Sequence, residues 1–331
     1  MGAPGRLRRR SARDWVPAIK NSSHFFAKMA DMKRLLLLAA VIVAGIAALG
    51  LTSCAPTSGR YVDRIFETTT KSTHLYKQTT NLVTGAPQNL FTDLYQPTGD
   101  TLEARPVIVW IHGGGFFTGN RGAMGDVAAE WAQRGYVTLS ISYRLDSGNK
   151  CQQVQDGTIT DPVQEQIERD RCARVITAAK DDAFSAIEWI RANAATYRVD
   201  PERVAVAGSS AGAVTALNVA QWGNPGGGPV PANRKVSAAL AMSGCQYDPA
   251  MIDANDAPIG MIASGGDISV PYECSTETIA SAKALGTKTV ANYWPEESLH
   301  AKDLYRAHQV DVDKAWTAFL YNQLQLTQPP A

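Results

Sequence analysis

Histidine and cysteine are both scarce in this chain of 331 residues, five of each, and what they fail to form excludes whole classes of chemistry. No Cys/His cluster has the spacing of a zinc site, and no phosphate-cradling loop is present. Neither a metal nor an organic cofactor is expected. Internal repeats and a visible second domain are also lacking, so the length reads as one α/β domain plus a leader. Nor does one sign of charge dominate: 32 Lys and Arg against 31 Asp and Glu leave +1. That balance hides an uneven distribution, because residues 1–53 hold nine of the basic residues and only Asp14 and Asp31 as acids. Without them, 23 basic residues face 29 acidic ones, a net charge of −6. Nucleic acid and anionic membrane surfaces are poor partners for such a domain.

One long apolar run is present, and it lies in the leader. Lys33 and Arg34 precede an uncharged stretch from Leu35 to Leu51 that runs into Leu51-Thr52-Ser53-Cys54. This resembles the lipobox of bacterial lipoproteins, which implies cleavage before Cys54, diacylglycerol on its thiol, and membrane anchoring through more than one acyl chain. An uncleaved helix of about 17 residues is the competing reading, marginal as a membrane span. Residues ahead of Met29 are basic, contain Pro4 and are interrupted by Asp14, unlike a signal peptide, which makes Met29 or Met32 alternative starts. Gly2 is followed at position 6 by Arg, so the myristoylation pattern fails. The expected layout is a leader over 1–53, a lipid-anchored tether over 54–75 and a catalytic domain over 76–325, exported and held at the cell envelope.

Two motifs carry chemistry, each directly after a strand-like run. Val204-Ala205-Val206-Ala207 leads into Gly208-Ser209-Ser210-Ala211-Gly212, and a helical Ala213-Val214-Thr215-Ala216-Leu217 follows. A nucleophile on a tight strand-to-helix turn needs this setting, with glycine on either side where a Cβ would collide with neighbouring backbone. The helix start then directs its positive dipole end at the place where negative charge forms. Pro106-Val107-Ile108-Val109-Trp110-Ile111 similarly delivers the chain into His112-Gly113-Gly114-Gly115-Phe116. Bare amides of Gly114 and Gly115, with Gly113 as a further candidate, would join that of Ala211 around a developing oxyanion. His112 reads as a residue that holds this loop by hydrogen bonding.

Together these motifs resemble the α/β-hydrolase superfamily, and within it the His-Gly-Gly-Gly carboxylesterases, which include hormone-sensitive-lipase-like enzymes and bacterial feruloyl and acetyl-xylan esterases. The resemblance runs from about Phe91 to Leu320 and implies the triad order Ser, Asp or Glu, then His. Only two histidines lie beyond Ser210. His300 follows the strand-like Thr287–Trp294 stretch in a loop, whereas His308 reads as a solvated residue of a terminal helix, so His300 is the expected base. Asp267 follows the apolar run Pro258–Ala263, and the segment Asp267-Ile268-Ser269-Val270-Pro271 resembles the family's acid loop. Glu273 is the fallback. Asp253 and Asp256 precede the strand and are poorer candidates.

Export gives the remaining four cysteines a meaning, and pairing of neighbours, Cys151 with Cys172 and Cys245 with Cys274, is the expected assignment. The second bridge would pin the acid loop. The expected fold is α/β, a mostly parallel sheet of about eight strands with helices on both faces and no large cap, because the Ser243–Pro258 gap is short. A polar insert from Leu145 to Cys172 is the candidate rim, and Phe116, Phe117 and Tyr272 are candidate apolar contacts. The expected activity is carboxylic ester hydrolysis through an acyl-enzyme on a small-molecule or carbohydrate ester. A feruloyl or acetyl-xylan esterase is the narrower alternative; a serine peptidase or amidase and an inactive binding module are the rivals. The pattern carries no oligomeric state.

Overall fold

The computed structural model describes residues 55–326 apart from 149 and 222–230. The leader, Met29, Met32, the apolar stretch and Cys54 lie outside the described residues. Eight strands form one sheet: β1 (Thr69–Thr80), β2 (Pro87–Pro97), β3 (Arg105–Ile111), β4 (Val137–Ile141), β5 (Val199–Ser209), β6 (Ala238–Met242), β7 (Ile259–Ser264) and β8 (Thr289–Trp294). Their order is β1-β2-β4-β3-β5-β6-β7-β8. The β1–β2 and β2–β4 pairings are antiparallel and all others parallel. The helices are α1 (Gly125–Ala132), α2 (Cys151–Gln155), α3 (Pro162–Ala192), α4 (Ala194–Tyr197), α5 (Ala211–Ala220), α6 (Tyr272–Ala284), α7 (Ala301–Ala307) and α8 (Gln309–Gln323).

The continuous apolar runs become strands covered on both faces, as a parallel sheet requires. Alternation shows how each run serves two cores. Val107, Val109 and Ile111 of β3 and Val204 and Val206 of β5 pack in one core with Phe184 and Ile187 of α3 and Val214 of α5. Ile108 and Trp110, with Ala205 and Ala207, pack in the other with Trp131 of α1 and Trp316 and Leu320 of α8. A strand's side-chain period of two divides them. Emptying such a site, as in Ile108→Ala, costs about 2–5 kcal/mol.

The tether expected over 54–75 is corrected by the structure, because folded chain reaches back well before residue 76. Arg60 donates to Asp100 at 3.1 Å, the Tyr61 amide donates to the Arg134 carbonyl at 2.7 Å, and Tyr61 is buried edge-on against Tyr136. Thr69 already pairs with Pro97. The threonine-rich composition reflects an edge strand solvated along much of its length. The polar insert divides as well. Its first part forms α2, and its end supplies the opening turns of α3, which Asp161 caps by accepting from Val163 at 2.8 Å and Gln164 at 3.0 Å. Both expected disulfides are present: Cys151–Cys172 ties α2 to α3, and Cys245–Cys274 ties the exit of β6 to α6.

Candidate active site

Ser210 sits at the turn from β5 into α5 with φ 56° and ψ −123°. Such backbone is strained for a residue with a Cβ, and it persists where the surroundings dictate it. Here the Ser210 amide donates to the Met242 carbonyl at 2.9 Å, and its carbonyl accepts from Ala213 and Val214 at 2.8 and 3.0 Å. The flanking glycines are obligatory. A Cβ on Gly208 would lie 2.1 Å from the Gly212 carbonyl oxygen, and one on Gly212 would lie 2.1 Å from that of Ile111. The two strand exits and the helix therefore touch through bare backbone.

The glycine loop after β3 lies directly on this turn, since a Cβ on Gly113 would be 3.0 Å from that of Ser210. Gly114, at φ +111°, accepts from Phe117 and Thr118 at 3.1 and 3.0 Å, closing a tight turn. The Gly114 and Ala211 amides donate to no acceptor among the described residues. His112 is fully buried. Its Nδ1 donates to the Gly113 carbonyl at 2.7 Å, and its ring stacks on Tyr143 with centroids 4.3 Å apart. Burial, only partly offset by that hydrogen bond, lowers its pKa to about 4, so the ring is neutral near pH 7. Tyr143 also donates to the His112 carbonyl at 2.9 Å, a support with no signal in the sequence.

The acid and base meet beyond the carboxyl ends of β7 and β8. His300 Nδ1 donates to Asp267 Oδ2 at 2.7 Å, and Asp267 Oδ1 accepts from the Ser269 and Val270 amides at 2.8 and 3.1 Å. Burial alone would raise the Asp267 pKa; the His300 hydrogen bond, its charge and the two amides outweigh burial and hold the carboxyl below its ordinary range. With Nδ1 committed to Asp267, Nε2 is the ring nitrogen left to meet the serine. Ser210 and His300 line the same cavity of about 580 Å³, together with Gly113, Gly114, Gly115 and Ala211. Ser210 Oγ is hydrogen-bonded to no group among the described residues, and such contacts commonly tighten only when substrate seats.

Residues Lys150–Gln153, at and before the start of α2, also line this cavity, and Gln152 donates to the Ile268 carbonyl. Phe116 and Phe117 both line the cavity, Phe116 from the core and Phe117 half-exposed at the rim. Tyr272 does not; it opens α6 and packs edge-on against Tyr293, so its expected substrate role is withdrawn. Tyr247 lines the cavity instead. His308 is not a solvated helix residue: it caps the junction of α7 and α8, stacks on Trp294 at 4.0 Å and bonds Glu297 at 2.8 Å. Glu273 is exposed in the first turn of α6, and the carboxylate on His300 is that of Asp267. Asp253 and Asp256 precede β7, at the end of that strand remote from Asp267.

A strained serine, an imidazole held by a buried carboxylate and unpaired amides on a cavity wall can together transfer an acyl group. Two family profiles match the chain, one described as alpha/beta hydrolase fold over residues 172–258 and one as BD-FAE over residues 92–159. They take in Ser210 and the glycine loop and end before Asp267. Secreted lipase 5 of Gibberella zeae is 32% identical over 34% of this chain and 19% of its own length. Carboxylesterase NlhH of Mycobacterium tuberculosis is 30% identical over 38% of this chain and 31% of its own. A chlorogenic acid esterase of Aspergillus niger is 25% identical over 50% and 28%. The chain thus spans under a third of the length of each of these relatives. The apo form of esterase 2 from Thermogutta terrifontis superposes with a TM-score of 0.57 at 18% identity, covering 78% of this chain and 96% of that one.

Proposed function

Taking this chain as an α/β hydrolase by fold, we propose that it is a serine carboxylesterase. Ser210 Oγ attacks the ester carbonyl carbon while His300 Nε2 accepts its proton. The tetrahedral oxyanion takes hydrogen bonds from Gly114, Gly115 and Ala211 amides, each such donor supplying about 3–4 kcal/mol in comparable sites. His300 returns the proton to the departing alkoxide, leaving an acyl-serine, and the same steps with water release the acid and restore the enzyme. Asp267 holds the tautomer throughout and stabilises the imidazolium. The observation that carries this reading is the convergence of Ser210, the Asp267–His300 pair and the glycine loop on one cavity.

The test is turnover of p-nitrophenyl acetate, butyrate and decanoate by residues 55–331, beside Ser210→Ala and His300→Ala. Loss of activity in both variants supports the assignment; activity surviving Ser210→Ala overturns it. Matched ester and anilide substrates separate esterase from amidase, and dominant anilide turnover would reverse the ranking. A domain whose Ser210 resists a fluorophosphonate would instead be a binding module.

Aryl or carbohydrate esters are the narrower reading, favoured by the BD-FAE match and the similarity to a chlorogenic acid esterase. Among the described residues, 243–258 hold only a short helical turn, Pro249–Met251, where a large cap would stand. The leader pattern and the two disulfides together support export and lipid anchoring at Cys54. Palmitate labelling that disappears in Cys54→Ala checks this; equal labelling in both refutes it.

A further inference from the structure

The geometry points to Ser243 and Ser264 as positioning residues that fix the His300 imidazole, an inference that rests on the esterase reading above. The two serines stand at the carboxyl ends of adjacent strands, Ser243 immediately after β6 and Ser264 as the last residue of β7. Ser264 Oγ donates to the Leu299 carbonyl at 2.5 Å, and the Ala301 amide donates to Ser243 Oγ at 2.8 Å. The peptide groups on both sides of His300 are therefore held by buried hydroxyls, 1% exposed at Ser243 and 0% at Ser264.

His300 is the N-cap of α7, yet its side chain makes no capping bond, because the imidazole is turned to Asp267. A helix start leaves orphan amides that the N-cap side chain ordinarily satisfies. Ser243 supplies an acceptor to the first of these, the Ala301 amide, from a neighbouring strand, so the start of α7 is anchored without the histidine side chain.

The same segment also registers the nucleophile. The Met242 carbonyl accepts from the Ser210 amide, while the next residue, Ser243, donates its own amide to Ile262 at 3.0 Å and receives Ala301 on its hydroxyl. One dipeptide thus spaces the serine turn from the histidine loop. Ser210, Ser243 and Ala301 have φ of 56°, 48° and 49°, three residues with side chains in the left-handed region along one hydrogen-bonded path. Such backbone clusters where geometry is over-determined for function. A single bond to Asp267 leaves the imidazole free to pivot about the Nδ1···Oδ2 line; fixing both flanking peptides removes that freedom.

The test compares Ser243→Gly, Ser243→Ala and Ser264→Ala with the wild type. Glycine at 243 accepts φ +48° without strain, so that variant removes the hydroxyl while preserving the fold. Expected is a fall in kcat on p-nitrophenyl butyrate of about 10- to 100-fold with KM changed less than about threefold, as displacement of a catalytic group produces. The downfield proton of His300 Nδ1–H, assigned by its loss in His300→Gln, is expected to broaden in all three. Near wild-type kcat in Ser243→Gly and Ser264→Ala, with that resonance intact, would overturn the assignment. Should the wild type hydrolyse no ester and resist fluorophosphonate, the esterase reading fails, and the proton resonance alone still decides whether the two serines hold the ring.

Discussion

Acid should destabilise this protein through His112. The ring is buried, stacked on Tyr143 and neutral, with its pKa lowered from 6.5 to about 4. The unfolded chain binds this proton at about pH 6.5, while the folded chain refuses it until about pH 4. Within that window the unfolded state holds one more proton, so stability rises with pH: the contribution is complete above about 6.5 and is lost as pH falls toward 4. A difference of about 2.5 units corresponds to about 3 kcal/mol, a large share of the stability of an ordinary domain. The assay is urea unfolding followed by tryptophan fluorescence at pH 7, 5.5 and 4.5, in the wild type and in His112→Asn, whose amide can replace the Nδ1–H donor. The wild type is expected to lose about 1.4 kcal/mol per pH unit more than the variant between 6.5 and 4.5. Parallel curves would refute the reasoning, because every other titrating group is common to both proteins.

Gly212→Ala drives a Cβ to 2.1 Å from the Ile111 carbonyl oxygen and 2.6 Å from that of His112; turnover is expected to drop by more than about 100-fold, read on p-nitrophenyl butyrate. Asp267→Asn removes the charge that holds His300 and is expected to lower kcat by about 10³- to 10⁴-fold with circular dichroism unchanged. The Asp267 carboxyl, whose pKa is depressed in the fold, stabilises above its unfolded pKa and stops doing so as pH falls through the folded value, so this variant should also flatten the most acidic part of the unfolding curve. Replacing Cys151 and Cys172 together by serine frees α2 from α3; about 3 kcal/mol of stability should disappear, and KM should rise because α2 walls the cavity.

The sequence made the centre of the molecule legible and its margins less so, for a physical reason. Strands β3 and β7 and the second half of β5 are buried on both faces and write themselves as apolar runs, so their exits, where Ser210, the glycine loop and Asp267 lie, could be located. Strand β1 is an edge, Thr69–Thr80, with much of its length in water, and its composition imitates a linker. The opening of α3 carries Gln164, Glu165, Gln166 and Glu168 and resembles a polar insert, although Asp161-Pro162 signals a helix start. Tyr272 follows the acid loop closely in sequence, but α6 begins there and its ring packs on Tyr293. Ser243 and Ser264 follow no periodic pattern, and their contacts at residues 301 and 299 arise only once the sheet brings β6, β7 and the histidine loop together.

The strand order has a kinetic consequence. Because β3 pairs with β5 across more than eighty intervening residues, and Ser210, Asp267 and His300 leave three different strands, no local piece of this chain holds the reacting groups. Parallel pairings of such long sequence separation form slowly, after helices and hairpins. On refolding, helical signal should therefore return well before hydrolytic activity. The hairpin β1–β2, joined by a short turn, can assemble early and wait for β4. Recovered activity thus reports the last native contacts to form, and a stalled folding intermediate would be rich in secondary structure and catalytically silent.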